Sequence, residues 1–393
     1  MPICTRENKE LDCRVFNSAD KLPDVWDDFL PSSHALRKEH LLVTEKSNLP
    51  DLSFLYVLVL QKGRPISSVY FQCLRARPEH INKDMVKRWQ SKAWRLFTTA
   101  IHPKLLVAGH LFRHDTSFFY SAPDVSCYQA YQCFHASIDV ALRSTCASAV
   151  LVKDMPATLV DHFQHHAPEY LLLRNDISME MPIPPEWRTI TDYEKSLKHK
   201  YAQRFRKIRQ QWNSLQIKEL SVGEVRENKT TIYSLYQQVL TNQQVRLGIL
   251  SPEFLADLKA FYTDTLKIWA VYDGDKMIAF FSAWEKETAF DMFYIGFDYK
   301  HNAELQSYFN ILFFSVEQAI TLGREKLILG RTALDAKARL GCEPRYLHTF
   351  LFINNPLIRR FILRKQQNVT LREGDWEEKH PFKTDKKKFD DPS

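Results

Sequence analysis

The pattern of apolar and polar positions is sharpest between Leu266 and Pro344. Two alternating apolar runs, KIWAVY and MIAFFSAW, flank Asp273-Gly274-Asp275. A tight turn needs residues that tolerate positive φ, so this stretch predicts a β-hairpin. AFDMFYIGF follows as a third strand, AELQSYFNILFFSVEQAITLG as a long helix, KLILG as a short strand and TALDAKARLG as a second helix. Leu305, Tyr308, Phe309, Leu312, Val316, Ala319 and Ile320 recur at the spacing of one buried helix face, and Gly323 stands where a left-handed cap belongs.

The first half of the chain repeats this order. LPDVWDDFL predicts a short helix with Pro23 at an early position, and FLYVLVL and PISSVYFQCL form a hairpin about the turn QKGR. KLLVAGHLF then reads as a strand, YQAYQCFHASIDVALRS as a helix and AVLVKDM as a strand. A helix around 159–165 and one strand, YLLLRNDISMEMPI, complete it. The two hairpin glycines, Gly63 and Gly274, stand about 211 positions apart, a repeat of pattern rather than of identity. PIPPEW cannot continue a helix or a central strand and marks a boundary. The expected division is therefore a first α/β domain over 1–186, a second over 187–365 that opens with a helix over SLKHKYAQRFRKIRQQWNSL, and a polar, disordered tail over 366–393. In SPEFLADLKAFY, Ser251 is the expected cap and Pro252 the first helical residue.

At 393 residues the chain exceeds what one core usually holds, and a 45% hydrophobic share supplies material for two. The charged start MPICTRENKELDCR and the lack of a long uncharged run predict a soluble cytoplasmic protein with no integral membrane segment. Seven scattered cysteines without a C-x-x-C pair suit reduced thiols, not a disulfide framework or a zinc site. The net charge of +7 is modest, but its placement is not. Between Glu194 and Glu219 the sequence holds Lys195, Lys198, Lys200, Arg204, Arg206, Lys207 and Arg209 and no acidic residue. Like charges at helical spacing weaken a helix, so this one is expected either as a solvated face or as the site of an anionic partner.

Candidate chemistry clusters in the second half. Gly330, Arg331 and Thr332 lie at the carboxyl end of a strand entering a helix, where open α/β sheets bind ligands and free amides hold anions. Thr332 and Asp335 have the spacing of a capping box, sufficient as a structural role for both. Lys337 is either a cation for the donor or a solvated helix residue. Asp291 and Tyr294 sit on one strand, where alternation places them on opposite faces. A carboxylate in so apolar a strand needs a partner, and either residue is a candidate to take the proton released when an amine is acylated. Two weaker features are the H-x-x-x-x-D spacing of His110 and Asp115, an acid/base pair in glycerolipid acyltransferases, and His162, His165 and His166, which lack the further ligands of a metal site.

Strand, strand, strand, helix, strand, helix with a β-α-β crossover at its end resembles the core of the GNAT acyltransferase superfamily. GRTALDAKARLGCEP is similar to the carboxy-terminal motif of its Fem-type branch, a K-x-x-x-G-x-x-P run here made by Lys337, Gly341 and Pro344 after Gly330. KYAQRFRKIRQ resembles the arginine-rich helix that opens the second domain of such proteins. The resemblance implies tandem GNAT-like domains with a mixed, mostly antiparallel sheet in each. It also implies transfer of an acyl or aminoacyl group to a small-molecule, cell-wall or peptide amine, without a covalent enzyme intermediate. The implied catalytic residues are Asp291, Tyr294 and Asp335, and the implied donor contacts are Lys200, Arg204, Arg206, Gly330, Arg331, Thr332 and Lys337. The donor is acyl-CoA or aminoacyl-tRNA, with no metal. The glycine-rich phosphate loop usual at the start of the long helix is replaced by DYKHNAELQ, a departure shared with the Fem-type branch, whose donor is charged tRNA. The alternative is a non-catalytic protein of this fold that binds an anionic ligand through the basic helix.

Overall fold

The computed structural model describes residues 11–82, 92, 95, 96, 98–100, 102–114, 116–173, 176–243, 246–360, 364 and 377–383. The chain forms two compact units, each built on one sheet. The first comprises 1–174, 243–254 and 347–371, and the second 175–242, 255–346 and 372–393.

The first sheet contains β1 (Leu11–Phe16), β2 (Leu52–Gln61), β3 (Arg64–Arg75), β4 (Lys104–Ala108), β6 (Ala149–Val152), β7 (Leu171–Leu173) and β15 (Thr349–Ile353), with β5 (Phe119–Ser121) paired to β3. Its order is β1-β2-β3-β4-β6-β15-β7. The helices α1 (Asp24–Asp28), α2 (Lys38–Lys46), α3 (Cys127–Thr145) and α4 (Ala157–His166) belong to the same unit. In α3 the buried positions Ala130, Phe134, Ser137, Ile138 and Ala141 follow helical spacing, and Ser126 caps the start by accepting from the Gln129 N–H.

The second sheet contains β8 (Ile177–Pro182), β9 (Gln216–Glu219), β10 (Leu266–Asp273), β11 (Lys276–Glu285), β12 (Ala289–Phe297), β13 (Lys326–Gly330) and β14 (Glu343–Tyr346), ordered β14-β8-β13-β12-β11-β10-β9. Its helices are α5 (Ile190–Ser196), α6 (His199–Gln210), α7 (Val222–Glu227), α8 (Lys229–Thr241), most of α9 (Phe254–Phe261), α10 (Tyr299–Leu305), α11 (Ser307–Thr321) and α12 (Leu334–Ala338). Trp269, Phe281, Phe290 and Phe314 form an aromatic cluster on the face of the sheet that carries α11.

Matched strand for strand, the two orders are the same, with one exchange. β15 fills the position between β6 and β7, and β8 the position between β13 and β14, so each sheet receives the last strand of the other half of the chain. The single strand expected over YLLLRNDISMEMPI is therefore two, β7 and β8, in different sheets. The sequence boundary at 186–187 also falls after β8, which already belongs to the second unit.

Other expectations are corrected locally. The long helix of the second half breaks at Gln306, whose φ of 47° ends α10 and starts α11. Ser251 does not cap with its side chain: its hydroxyl donates to the Ser47 carbonyl, and α9 starts at Phe254. The polar carboxy-terminal stretch is not wholly a free tail. Phe382 is half-buried against Trp187 and Tyr193 and bridges to Leu197. Residues 365–376 and 384–393 of that stretch lie outside the described residues.

Candidate functional site

The candidate residues gather where β12 and β13 part. These parallel strands pair only over Ala289–Lys326, Phe290–Leu327 and Asp291–Ile328, after which Gly330 turns to Met179 of β8 through a register shift. On its other side β12 carries a bulge, with Phe293 and Tyr294 opposing Ser282 between the pairs Ala283–Met292 and Phe281–Ile295. The Ser282 hydroxyl fills the irregularity, donating to the Tyr294 carbonyl and accepting from the Tyr294 N–H, both at 2.9 Å.

The bulge overturns the expected alternation. Met292 faces α11, where the Ser315 hydroxyl donates to its sulfur. Asp291 faces away, and so does Tyr294, whose ring packs edge-on to Tyr236 of α8. The two candidates therefore share one face. Asp291 is 1% exposed and paired at 2.7 Å with Lys286, a partner in the turn before β12. Burial, and next the neighbouring Tyr236, push the Tyr294 hydroxyl well above its ordinary pKa, so it stays protonated.

Lys337 is not a solvated helix residue. It is 2% exposed, and its amine donates to the Gly330 carbonyl at 3.1 Å. Burial lowers its pKa from 10.5 to about 7, with a smaller opposing effect from Cys342. Cys342 is buried in turn and its thiol is pushed up to about 12, chiefly by desolvation. Gly330 has φ +76°, and a Cβ there would meet nothing, so open space lies beside the strand end that Lys337 supports.

The rest of the K-x-x-x-G-x-x-P run also has physical reasons. Gly341 has φ +102°, and a Cβ there would stand 2.2 Å from the Phe382 ring, so only glycine lets that ring close over the turn. Pro344 lies in β14, an edge strand, where a missing N–H is tolerated.

Thr332 and Asp335 do not form a capping box. Ala333, with φ 53°, precedes α12, Thr332 is exposed, and Asp335 pairs with Arg339 one turn later at 2.7 Å. Arg331 pairs with Asp176. In the basic helix α6, Arg204 lies over the Phe309 ring in the first turn of α11, 4.7 Å from its centre. Burial, then Arg339, lower the Arg204 pKa, while Asp335 opposes them. The structure thus groups Arg204, Phe309, Asp335 and Arg339. The expectation of cations without anions is corrected: Arg206 pairs with Glu194 at 3.4 Å and Arg209 with Glu317 at 2.7 Å, carboxylates supplied by α5 and α11. Lys195, Lys198, Lys200 and Lys207 are exposed.

At the start of α11, where a pyrophosphate would need free amides, the Tyr308 N–H is taken by the Asn302 side chain at 3.1 Å.

Sequence reasoning missed Lys286, Phe309, Arg339 and Cys342. Lys286 alone carried a signal, because Asp291 required a nearby cation. Of the weaker features, Asp115 lies outside the described residues, and His162 and His166 pack against Tyr128 and Tyr131. Among the described residues no group of three His, Cys, Asp or Glu side chains could hold a metal, and no helix is long and apolar enough to cross a membrane.

No family model and no curated protein matches the sequence. Solved structures do match the fold. The crystal structure of FemX is similar with a TM-score of 0.50 at 8% identity, covering 89% of this chain and 99% of that one. A tandem GNAT protein from the clavulanic acid biosynthesis pathway is similar with a TM-score of 0.50 at 9% identity, covering 88% of this chain and 99% of its own. The chain has the tandem GNAT-like fold of these Fem-type and GNAT structures.

Proposed function

We propose that the second unit is an acyltransferase that passes an acyl or aminoacyl group from an ester or thioester donor to an amine at the opening between β12 and β13. One observation carries this reading: the buried Lys337 amine, with a pKa of about 7, is anchored to the Gly330 carbonyl where the two strands separate.

In such a transfer the acceptor nitrogen attacks the donor carbonyl carbon, a C–N bond forms, the C–O or C–S bond breaks, and the nitrogen loses a proton. A group with a pKa near neutrality combines the correct protonation state with the driving force to take that proton. Lys337 fits this role better than the carboxylates. Asp335 is held by Arg339, and Asp291 by Lys286. Gly330 leaves room for the donor, Arg331 and Thr332 follow it in the chain, and Lys200, Arg204 and Arg206 stand on α6. The occupied Tyr308 amide at the start of α11, in a stretch DYKHNAELQ without glycine, favours an aminoacyl ester carried by tRNA over coenzyme A.

The test is discharge of the donor. Charged tRNA or acyl-CoA should lose its acyl group only when an amine acceptor is present, whereas a protein of this fold that merely binds an anion should discharge neither.

A further inference from the structure

The two most exposed large apolar side chains among the described residues, Leu357 at 74% and Leu96 at 72%, both belong to the first unit. Ile358, beside the former, is 47% exposed. A lone surface leucine is ordinary, so the surroundings decide what these mean.

The turn that carries Leu357 is secured at both ends. Asn355 caps it: its side-chain oxygen accepts from the Leu357 N–H at 3.0 Å and the Ile358 N–H at 3.1 Å. Arg359 donates to the Ile353 carbonyl at 3.0 Å and lies over the Phe352 ring, 4.6 Å from its centre, which ties the turn to β15. Leu357 and Ile358 therefore stay in solvent on a turn that is itself anchored. Leu96 follows Arg95 in a helical run, where the buried Thr98 hydroxyl donates to the Arg95 carbonyl at 3.1 Å. The charge beside both leucines has one sign. Residues 85–114 contain six Lys and Arg and no Asp or Glu, and so do residues 344–372. Lys92, Arg95 and Arg360 are exposed, and none of them pairs with a carboxylate among the described residues. Arg359 is left out of this set, because it is engaged with Phe352 and Ile353 and acts on Tyr170 against Asp139 and Glu169.

An aliphatic side chain and a cation next to each other ask one partner for hydrocarbon and for negative charge. RNA supplies the charge but leaves the leucines in water. A protein groove supplies both only if its shape matches two stretches far apart in sequence. A bilayer surface with anionic headgroups supplies both without shape matching, because aliphatic side chains enter the headgroup–acyl boundary while cations stay among the phosphates. We propose that the first unit docks peripherally on an anionic phospholipid surface, inserting Leu96, Leu357 and Ile358 and holding lipid phosphates with Lys92, Arg95 and Arg360. Each stretch carries an aliphatic anchor and a cation of its own, and the contact needs no helix that crosses the membrane. The proposal is independent of transfer in the second unit.

The test is co-sedimentation of the full chain with vesicles of phosphatidylcholine alone, or of phosphatidylcholine with about one third phosphatidylglycerol. Binding about tenfold or more tighter to the anionic vesicles, and weakened by salt, is the expected result. Leu96→Ser together with Leu357→Ser should weaken it about tenfold or more, and because both side chains are largely exposed the fold should survive the change. Arg95→Gln and Arg360→Gln should each weaken it roughly fivefold. No binding to anionic vesicles overturns the proposal, and so does equal binding to neutral ones. Vesicle binding that survives the leucine changes is charge attraction alone and overturns it too. A dimer of the chain in the absence of lipid, abolished by the leucine changes, would assign these side chains to a second copy and overturn it as well.

Discussion

The Lys337 amine stands 3.1 Å from the carbonyl of Gly330, seven residues earlier at the end of β13. That contact ties helix to strand and places an amine where its charge is costly. The folded pKa of about 7 lies below the ordinary 10.5, so between these values the unfolded chain binds the extra proton. Stability from this group therefore rises as pH increases from about 7 to about 10.5, and is flat below, where both states are protonated. The span corresponds to about 5 kcal/mol at most. Lys337→Met should remove this slope and raise stability at neutral pH, read by urea unfolding across pH.

Asp291 is nearly inaccessible, whereas the side chain of its partner Lys286 is 36% exposed. Lys286→Ala leaves the carboxylate buried without its ion pair and should cost about 3 kcal/mol. Asp291→Asn frees a lysine that can turn to water and should cost less. Chemical denaturation of both single variants and the double variant gives the coupling directly.

The exchange of β8 and β15 predicts how fragments behave. A fragment of residues 1–186 lacks β15, so β6 and β7 lose the strand between them and expose unpaired edges. Expressed alone it should aggregate. Supplying residues 347–360 as a peptide should lessen that aggregation by filling the gap between β6 and β7, measured by sedimentation and far-UV circular dichroism.

On α6, Lys200 and Lys207 are exposed, while Arg206 already pairs with Glu194. If the anionic partner is RNA, the slope of log affinity against log salt should shrink by about one for Lys200→Ala or Lys207→Ala, and by less for Arg206→Ala. Filter binding at several salt concentrations gives these slopes. No RNA binding at low salt would leave the helix as a solvated face.

Much of the fold was legible because it depends on local patterns. Asp273-Gly274 fixed a hairpin, and the apolar spacing of Leu312, Val316 and Ala319 fixed a buried face. The strand exchange was not legible, since nothing local distinguishes Ile177–Pro182 pairing with β13 from the same run pairing with β6. The bulge at Phe293 and Tyr294 depends on Ser282 of the neighbouring strand, so alternation misassigned a face. Lys337 was named for its motif, but its burial follows from tertiary packing around Cys342 and Gly330. Asp335 was read against Thr332 rather than Arg339, because a positive φ at Ala333 moved the helix start by one residue.

The rate of acyl transfer to an amine as a function of pH decides whether Lys337 takes the proton. A limb that rises through pH about 7 is expected in the wild-type chain, and transfer reduced by about a hundredfold or more in Lys337→Met, with the variant folded. Transfer that keeps its rate and its pH limb in Lys337→Met would contradict that role.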